Sequence, residues 1–339
     1  MRILMLRLPL LLVLLLVGMS IPVGTVWARS VESRSPALAL PESAQVSAVI
    51  EDDEPQLRAR LLVSRDPTPK VGVLFDLAPG WHLYWRNPGE TGIAPSLGLE
   101  ASSHRIGDVA WPVPQTFREA DGLFTTYGYE KSVMLVAPIE GVEENAISDV
   151  IRADTSVLVC RTQCVPASFT LSTPLDTGLS EVEQSVVDAL FRDANASVPI
   201  AAAELSLEAK ATWTGNTPEP DETARLELVV RSCRQNSQPC QLPAHDSEDT
   251  RFIPMEGDTF EFSSASLIDN GQEVGVFTLA MEAIRLAPGE DRLHGLVLVE
   301  GPDGRTRHVE LDVPIQSRSA EAEISVPIAA GIQFSKTMI

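Results

Sequence analysis

Positive charge is in short supply in this chain. It sets 26 lysines and arginines against 47 aspartates and glutamates, for a formal charge of −21. So large an acidic excess argues against nucleic acid as a partner and disfavours anionic membrane surfaces. Histidine is sparse too: His82, His104, His245, His294 and His308 are scattered, with no His-x-x-His pair and no methionine-rich tract. Gly-x-Ser-x-Gly, His-Glu-x-x-His and glycine-rich phosphate loops are all missing, so hydrolase and nucleotide chemistry find no footing. Beyond residue 28 no apolar run reaches the roughly 18–20 residues of a membrane-spanning helix. Cysteine is the most informative scarcity, with four in 339 residues.

What is present begins with a leader. Arg2 and Arg7 form a basic start, Leu8 to Val17 an apolar core, and Val26-Trp27-Ala28 a small-residue cleavage site. Residues 1–28 are therefore expected to be a signal peptide, whose removal takes two arginines and moves the charge from −21 to −23. No cysteine follows the apolar core closely, which disfavours a lipoprotein anchor. The mature chain is expected outside the cytoplasm, without a membrane span, where disulfides persist.

Residues 29–50, rich in Ser, Pro, Ala and Glu, read as a flexible lead-in. Runs rich in Val, Leu, Ile and Phe then occupy 58–64, 70–77, 132–139, 148–159 and 168–172, separated by Pro, Gly, Asp and Asn. That spacing predicts an antiparallel β-sandwich over 51–178 rather than βαβ units. Ser180 and Glu183 form a capping-box pattern, Val182, Val186, Leu190 and Phe191 recur at helical spacing, and Pro199 follows. They predict a helical connector over 179–203. Strand-like runs at 204–213, 224–231, 274–284, 293–300 and 307–315, with a turn at Gly301-Pro302-Asp303-Gly304, predict a second sandwich over 204–318 and leave 319–339 as a tail.

The sulfur chemistry centres on Val159-Cys160-Arg161-Thr162-Gln163-Cys164-Val165-Pro166. Fully extended, this spacing would hold the two Cα atoms about 13 Å apart, against the roughly 4.4–6.8 Å of a disulfide. A bridge requires a sharp turn and is expected in a tight, exposed loop, where strain and access make it easy to reduce. Exchange needs an attacking thiolate, a resolving thiol and room for a partner, and this pair supplies both thiols. Arg161 would favour a thiolate nearby. A purely structural bridge is the alternative, contributing about 2 kcal/mol by loop closure. Cys233 and Cys240, in Cys233-x6-Cys240-Gln241-Leu242-Pro243, read as a structural disulfide of the second sandwich rather than a second redox centre. Copper(I) would suit paired thiolates, but no histidine lies within a few residues of Cys160.

Four segments taken together carry a family resemblance. They are Gly80-Trp81-His82-Leu83-Tyr84-Trp85-Arg86-Asn87-Pro88-Gly89-Glu90-Thr91-Gly92, Ala110-Trp111-Pro112-Val113-Pro114, Tyr127-Gly128-Tyr129-Glu130 and Cys160-x3-Cys164-Val165-Pro166. Over about residues 45–178 the chain resembles the N-terminal periplasmic domain of DsbD-type thiol:disulfide interchange proteins, nearest the ScsB-like, suppressor-of-copper-sensitivity branch. The resemblance implies a periplasmic immunoglobulin-like sandwich for the matched residues; with the strand and helix spacing above, the expected fold is all-β, two immunoglobulin-like antiparallel β-sandwich domains joined by the short helical connector. The resemblance also implies a protein-disulfide reductase role, with Cys160 and Cys164 passing reducing equivalents between a membrane electron-transfer protein and thioredoxin-like or client proteins, in settings such as cytochrome c biogenesis or copper tolerance. It calls for no cofactor and no metal.

The resemblance further implies a cap over the cysteines. Here that is the Asp121–Tyr129 segment, with Phe124 or Tyr127 as the shielding ring, because Thr126 stands where the best-known members carry an aromatic residue. Tyr84 and His82 are partner-facing candidates beside the motif, whereas Trp81, Trp85 and Trp111 read as core. The residues alone do not choose the attacking cysteine; the family pattern favours Cys164. Family members continue into a membrane domain and a thioredoxin-like domain. These residues include neither, which leaves a free-standing relative, a truncated chain or one half of a split system. Two rival readings stand beside this one: a non-enzymatic envelope binding module with structural disulfides, and a copper(I)-handling protein.

Overall fold

Runs of β-branched and aromatic residues broken by turns form the first sandwich. Its strands are β1 (Val46–Asp52), β2 (Glu54–Ser64), β3 (Lys70–Leu77), β4 (His82–Gly89), β5 (Ser96–Ala101), β6 (Arg105–Ile106), β7 (Gln115–Glu119), β8 (Phe124–Glu130), β9 (Ser132–Glu140), β10 (Val150–Cys160) and β11 (Cys164–Pro174). The computed structural model describes Leu40 and residues 46–52, 54–65, 68–141, 149–205, 207–231, 234–235, 238–239, 252–255, 257, 259–263, 265–269, 276–300 and 305–317. The expected signal peptide, most of the lead-in, Cys233, Cys240, the 301–304 turn and the tail lie outside these residues.

One sheet of the first sandwich runs β1-β2-β3-β9-β6, and the other runs β11-β10-β4-β8-β7 with β5 on β10. All these pairings are antiparallel. Leu57, Leu61, Val73, Phe75 and Leu135 from one sheet meet Leu83, Trp85, Tyr127, Ile151 and Val159 from the other. Each such side chain stabilises by roughly 1.5–3 kcal/mol when fully buried. Strand β1 begins inside the expected lead-in, with Val46 opposite Leu61. It is the edge strand of its sheet, held by its ladder to β2.

Helix α1 (Glu181–Ala196) starts at the expected capping box, with Ser180 and Glu183 bonding reciprocally. It does more than connect. Val187, Phe191 and Ala194 pack on Leu62, Leu74, Met134 and Val136, on the outer side of β2, β3 and β9. Those strands are thus covered on both faces, which explains why β3 and the end of β2 (Leu61–Val63) read as continuous apolar runs, whereas the start of β2 alternates with Arg58 and Arg60. The buried stripe is Gln184, Val187, Phe191 and Ala194, whereas Val182 is 76% exposed. Polar anchors set this rotation. Gln184 Nε2 donates to Val63 O at 3.1 Å, and Ser64 Oγ and Arg65 N donate to Asp188 Oδ1 at 2.9 and 3.0 Å.

The second β-region comprises β12 (Ile200–Ala201), β13 (Glu208–Trp213), β14 (Thr223–Arg231), β15 (Arg234–Gln235), β16 (Gln238–Pro239), β17 (Phe252–Pro254), β18 (Phe260–Phe262), β19 (Ser266–Asp269), β20 (Val276–Arg285), β21 (Arg292–Glu300) and β22 (Thr306–Gln316). Its main path is β17-β21-β22-β13-β14-β20-β18, and it encloses Trp213, Leu228, Phe252, Phe260, Leu279 and Val309. Strand β22 pairs antiparallel with β21 along most of its length and then joins β13 at its end. Two of its pairings, with β12 and β13, are parallel, unlike the antiparallel arrangement expected. These strands lie at opposite ends of the segment, so no hairpin dictates their direction.

The two β-regions meet along the end of β4. Ile253, Met255 and Leu296 join the first core, Asn87 Nδ2 donates to Pro254 O at 2.8 Å, and Arg86 lies 3.7 Å from Glu310. No described helix is long and apolar enough to cross a membrane.

Candidate functional site

Strands β10 and β11 form one unbroken ladder from Val150 opposite Pro174 to Cys160 opposite Cys164. Arg161, Thr162 and Gln163 make the tip, closed by Arg161 N donating to Gln163 O at 3.1 Å. The required turn is thus a hairpin tip, and it brings the two cysteine Cα atoms to 4.1 Å across a formed disulfide. The expected exposed loop is correct for one sulfur-bearing residue only. Residues 161–164 are exposed, whereas Cys160 is 1% exposed. Cys160 belongs to β10 and has β4 as its second neighbour, which covers it.

That neighbour brings in the histidine. Strand β4 meets β10 at Val159 opposite Leu83 and Cys160 opposite His82. Alternation along the strand sends Trp81, Leu83 and Trp85 into the core and leaves His82 and Tyr84 on the outer face that carries Cys160. Neither is exposed: His82 shows 7% of its surface and Tyr84 1%. The His82 ring stacks on Phe117 with centroids 5.0 Å apart and meets Tyr84 edge-on at 5.1 Å. Gly92, at φ +104°, makes room for Tyr84; a Cβ there would lie 2.5 Å from ring carbons.

Glu119 organises this cluster. It accepts from Thr126 Oγ1 at 2.6 Å and from Tyr84 Oη at 3.3 and 3.4 Å. Its Oε1 stands 3.3 Å from His82 Nε2, close enough for charge pairing but not aligned as a hydrogen bond, and Nε2 has no other partner. Burial pushes the His82 imidazole below its ordinary range, partly opposed by Glu119, through its charge and its closeness to Nε2, and by the charge of Glu130. Burial, with Glu119 beside it, raises the Tyr84 phenol to about 12. At neutral pH the site therefore holds a neutral imidazole facing a carboxylate.

The segment expected to cap the cysteines, Asp121–Tyr129, is a β-hairpin turn and strand rather than a loop. Tyr127 is not its shield. Register places that ring in the core, edge-on to Trp85 at 6.5 Å, so it faces away from the sulfurs. Phe124, 37% exposed next to Leu123 at the hairpin tip, remains the free aromatic of the two. Phe117 and Glu119 were not singled out from the sequence. The period-2 pattern of Gln115-Thr116-Phe117-Arg118-Glu119 was the available sign, but without register it did not say which face they share. Trp81 and Trp85 are core as expected, and Trp111 packs against it. The Arg161 guanidinium sits over the Trp81 ring at 5.2 Å.

A cleft of about 520 Å³ opens where the two β-regions meet, lined by Asn87, Glu90, Thr125, Met255 and Phe260 among others, but it includes neither cysteine nor His82. Among the described residues no three His, Cys, Asp or Glu side chains group closely enough to share a metal ion.

Residues 52–175 match the family described as thiol:disulfide interchange protein DsbD, N-terminal. No curated protein matches the sequence. The crystal structure of the N-terminal periplasmic domain of ScsB from Proteus mirabilis aligns with a TM-score of 0.52 at 18% identity, covering 80% of this chain and 98% of that one. The Neisseria meningitidis DsbD N-terminal domain in the reduced form aligns at 11% identity with a TM-score of 0.23, covering 33% of this chain and 82% of that one. Residues 52–175 are therefore a DsbD-type N-terminal domain, within a chain that shares its overall fold with the ScsB N-terminal periplasmic domain.

Proposed function

We propose that this chain is a periplasmic thiol:disulfide interchange protein that relays reducing equivalents through Cys160 and Cys164. The observation that carries the reading is the asymmetry of the bridge, with Cys164 exposed at a hairpin tip and Cys160 buried behind it. A partner thiolate attacks Cys164 Sγ, the bridge breaks, and Cys160 leaves with the electron pair. A second partner thiol then resolves the mixed disulfide, so the partner is oxidised and this pair is reduced. The reverse sequence delivers the electrons to a client disulfide. The partner chemistry that fits is a thioredoxin-like protein with a paired thiol, supplied by a membrane electron-transfer protein. The family match and the likeness to a periplasmic domain support both the chemistry and the compartment.

Equilibration with glutathione buffers tests this directly. The expected reduction potential lies well above the roughly −300 mV typical of structural bridges. Cys160→Ser is expected to trap a mixed disulfide through Cys164, and Cys164→Ser to trap none. A bridge that stays oxidised at every accessible glutathione ratio overturns the reading.

A further inference from the structure

We propose that His82 is the base that deprotonates Cys160 when this buried thiol resolves a mixed disulfide, with Glu119 as the residue that holds the imidazole in place. The proposal rests on the interchange reading above and assigns its proton step. A buried thiol is a poor nucleophile, because burial favours the neutral form. Cys160 is 1% exposed, so solvent does not readily take its proton. Its cross-strand neighbour on the same face is His82, and directly opposed residues hold their Cβ atoms about 4.5–5.5 Å apart. His82 Nε2 is buried and faces Glu119 Oε1 at 3.3 Å, so the carboxylate favours the tautomer with its proton on Nε2 and leaves Nδ1 as the ring's proton acceptor.

The charged and titratable groups around the imidazole are Glu119 on β7, Glu130 on β8, Tyr84 on β4 and the cysteine on β10. Both carboxylates favour the imidazolium that forms once the proton is taken. Thr126 and Tyr84 fix Glu119 from two strands, so the cluster has a thiol, a base and an orienting carboxylate in sequence.

Once Cys164 has captured a partner disulfide, the Cys160 S–H proton passes to neutral His82. The sulfur electron pair attacks Cys164 Sγ, the Cys164–partner bond breaks, and the partner sulfur departs as thiolate. This domain ends oxidised to the disulfide, the partner disulfide ends reduced, and the imidazolium later returns its proton to water.

The test uses the full reduced chain and stoichiometric dithiobis(nitrobenzoate), an aromatic disulfide that releases one coloured thiolate at capture and a second at resolution. The resolving phase is the one that Cys160→Ser abolishes. At pH 7, His82→Gln is expected to slow this phase at least about tenfold, since general bases contribute roughly 10²–10⁴. The capture phase should be unchanged. In the parent, the resolving rate should level off above about pH 6.5; in His82→Gln it should climb towards the ordinary thiol range near about 8.5. Glu119→Gln leaves the ring in place and is expected to slow the same phase and move its inflection to lower pH, which keeps the test open should His82→Gln fail to fold. A resolving phase with the parent's rate and pH profile in both variants overturns the proposal. Absence of any two-step release from the parent would instead remove the interchange reading itself, and this inference with it.

Discussion

Asp149 shows how a single residue anchors the far end of the strand that carries Cys160. It sits one residue before β10, 4% exposed, and accepts from the backbone N–H groups of Ser103 and Val150 at 3.1 and 2.9 Å and from the His104 ring. Burial alone would raise its carboxyl, but the bonds from His104, Ser103, Val150 and Ser102 outweigh that and hold it below the ordinary range. A carboxyl depressed in the folded state contributes stability that is fully present above the unfolded value, about pH 4, and is lost as pH falls through the folded value. Asp149→Asn is expected to cost about 1–3 kcal/mol at pH 7 and to flatten the acid limb of stability below about pH 4. Urea titrations at pH 7 and pH 3 check both. At this scale the cysteines were legible, because spacing alone states what turn a bridge needs. Tyr127 was not: its face depends on the register of β8 against β4, which a one-residue slip would invert.

Helix α1 and the sheet beneath it form a second packed layer, which gives the element its stability weight. Phe191 is fully buried against Leu62, Leu74 and Met134, and Gly72 makes the approach possible; a Cβ there would lie 2.5 Å from Met134 Cε and 3.2 Å from Phe191 Cε1. Phe191→Ala is expected to cost about 3–5 kcal/mol, while Val182→Ala, at an exposed position, should stay within about 0.5 kcal/mol. Paired denaturant midpoints decide between this packing and the stripe read from spacing, which holds both residues and would make Val182→Ala costly as well. The capping box was legible because it is local chemistry, whereas the helix rotation was not. It depends on Gln184 and Asp188 meeting the end of β2, more than 100 residues away in sequence. Strands with apolar runs, such as β3 and β9, were legible to within a residue. The hairpin of β7 and β8 was hidden because its polar face packs on other polar groups.

For the molecule as a whole, the question is how far the junction of the two β-regions governs the sulfur site. Strand β4 serves both: His82 at its start lies beside Cys160, and Arg86 and Asn87 near its end contact Met255 and Pro254. At about 3.3 Å per residue the two ends are separated by roughly 13–16 Å. That is more than the reach of a hydrogen bond or an ion pair at ordinary salt. Met255 is buried and joins the first core, so Met255→Asp places a charge among apolar side chains with no partner. The expected result is a junction that opens, with calorimetry showing two separate transitions where the parent shows one. The glutathione equilibrium of the Cys160–Cys164 bridge should remain that of the parent, because the hairpin register, His82 and Glu119 all belong to the first sandwich. A bridge whose equilibrium shifts together with the split transition would mean that the second β-region sets the redox behaviour through β4, and the site would then have to be described as the property of both regions.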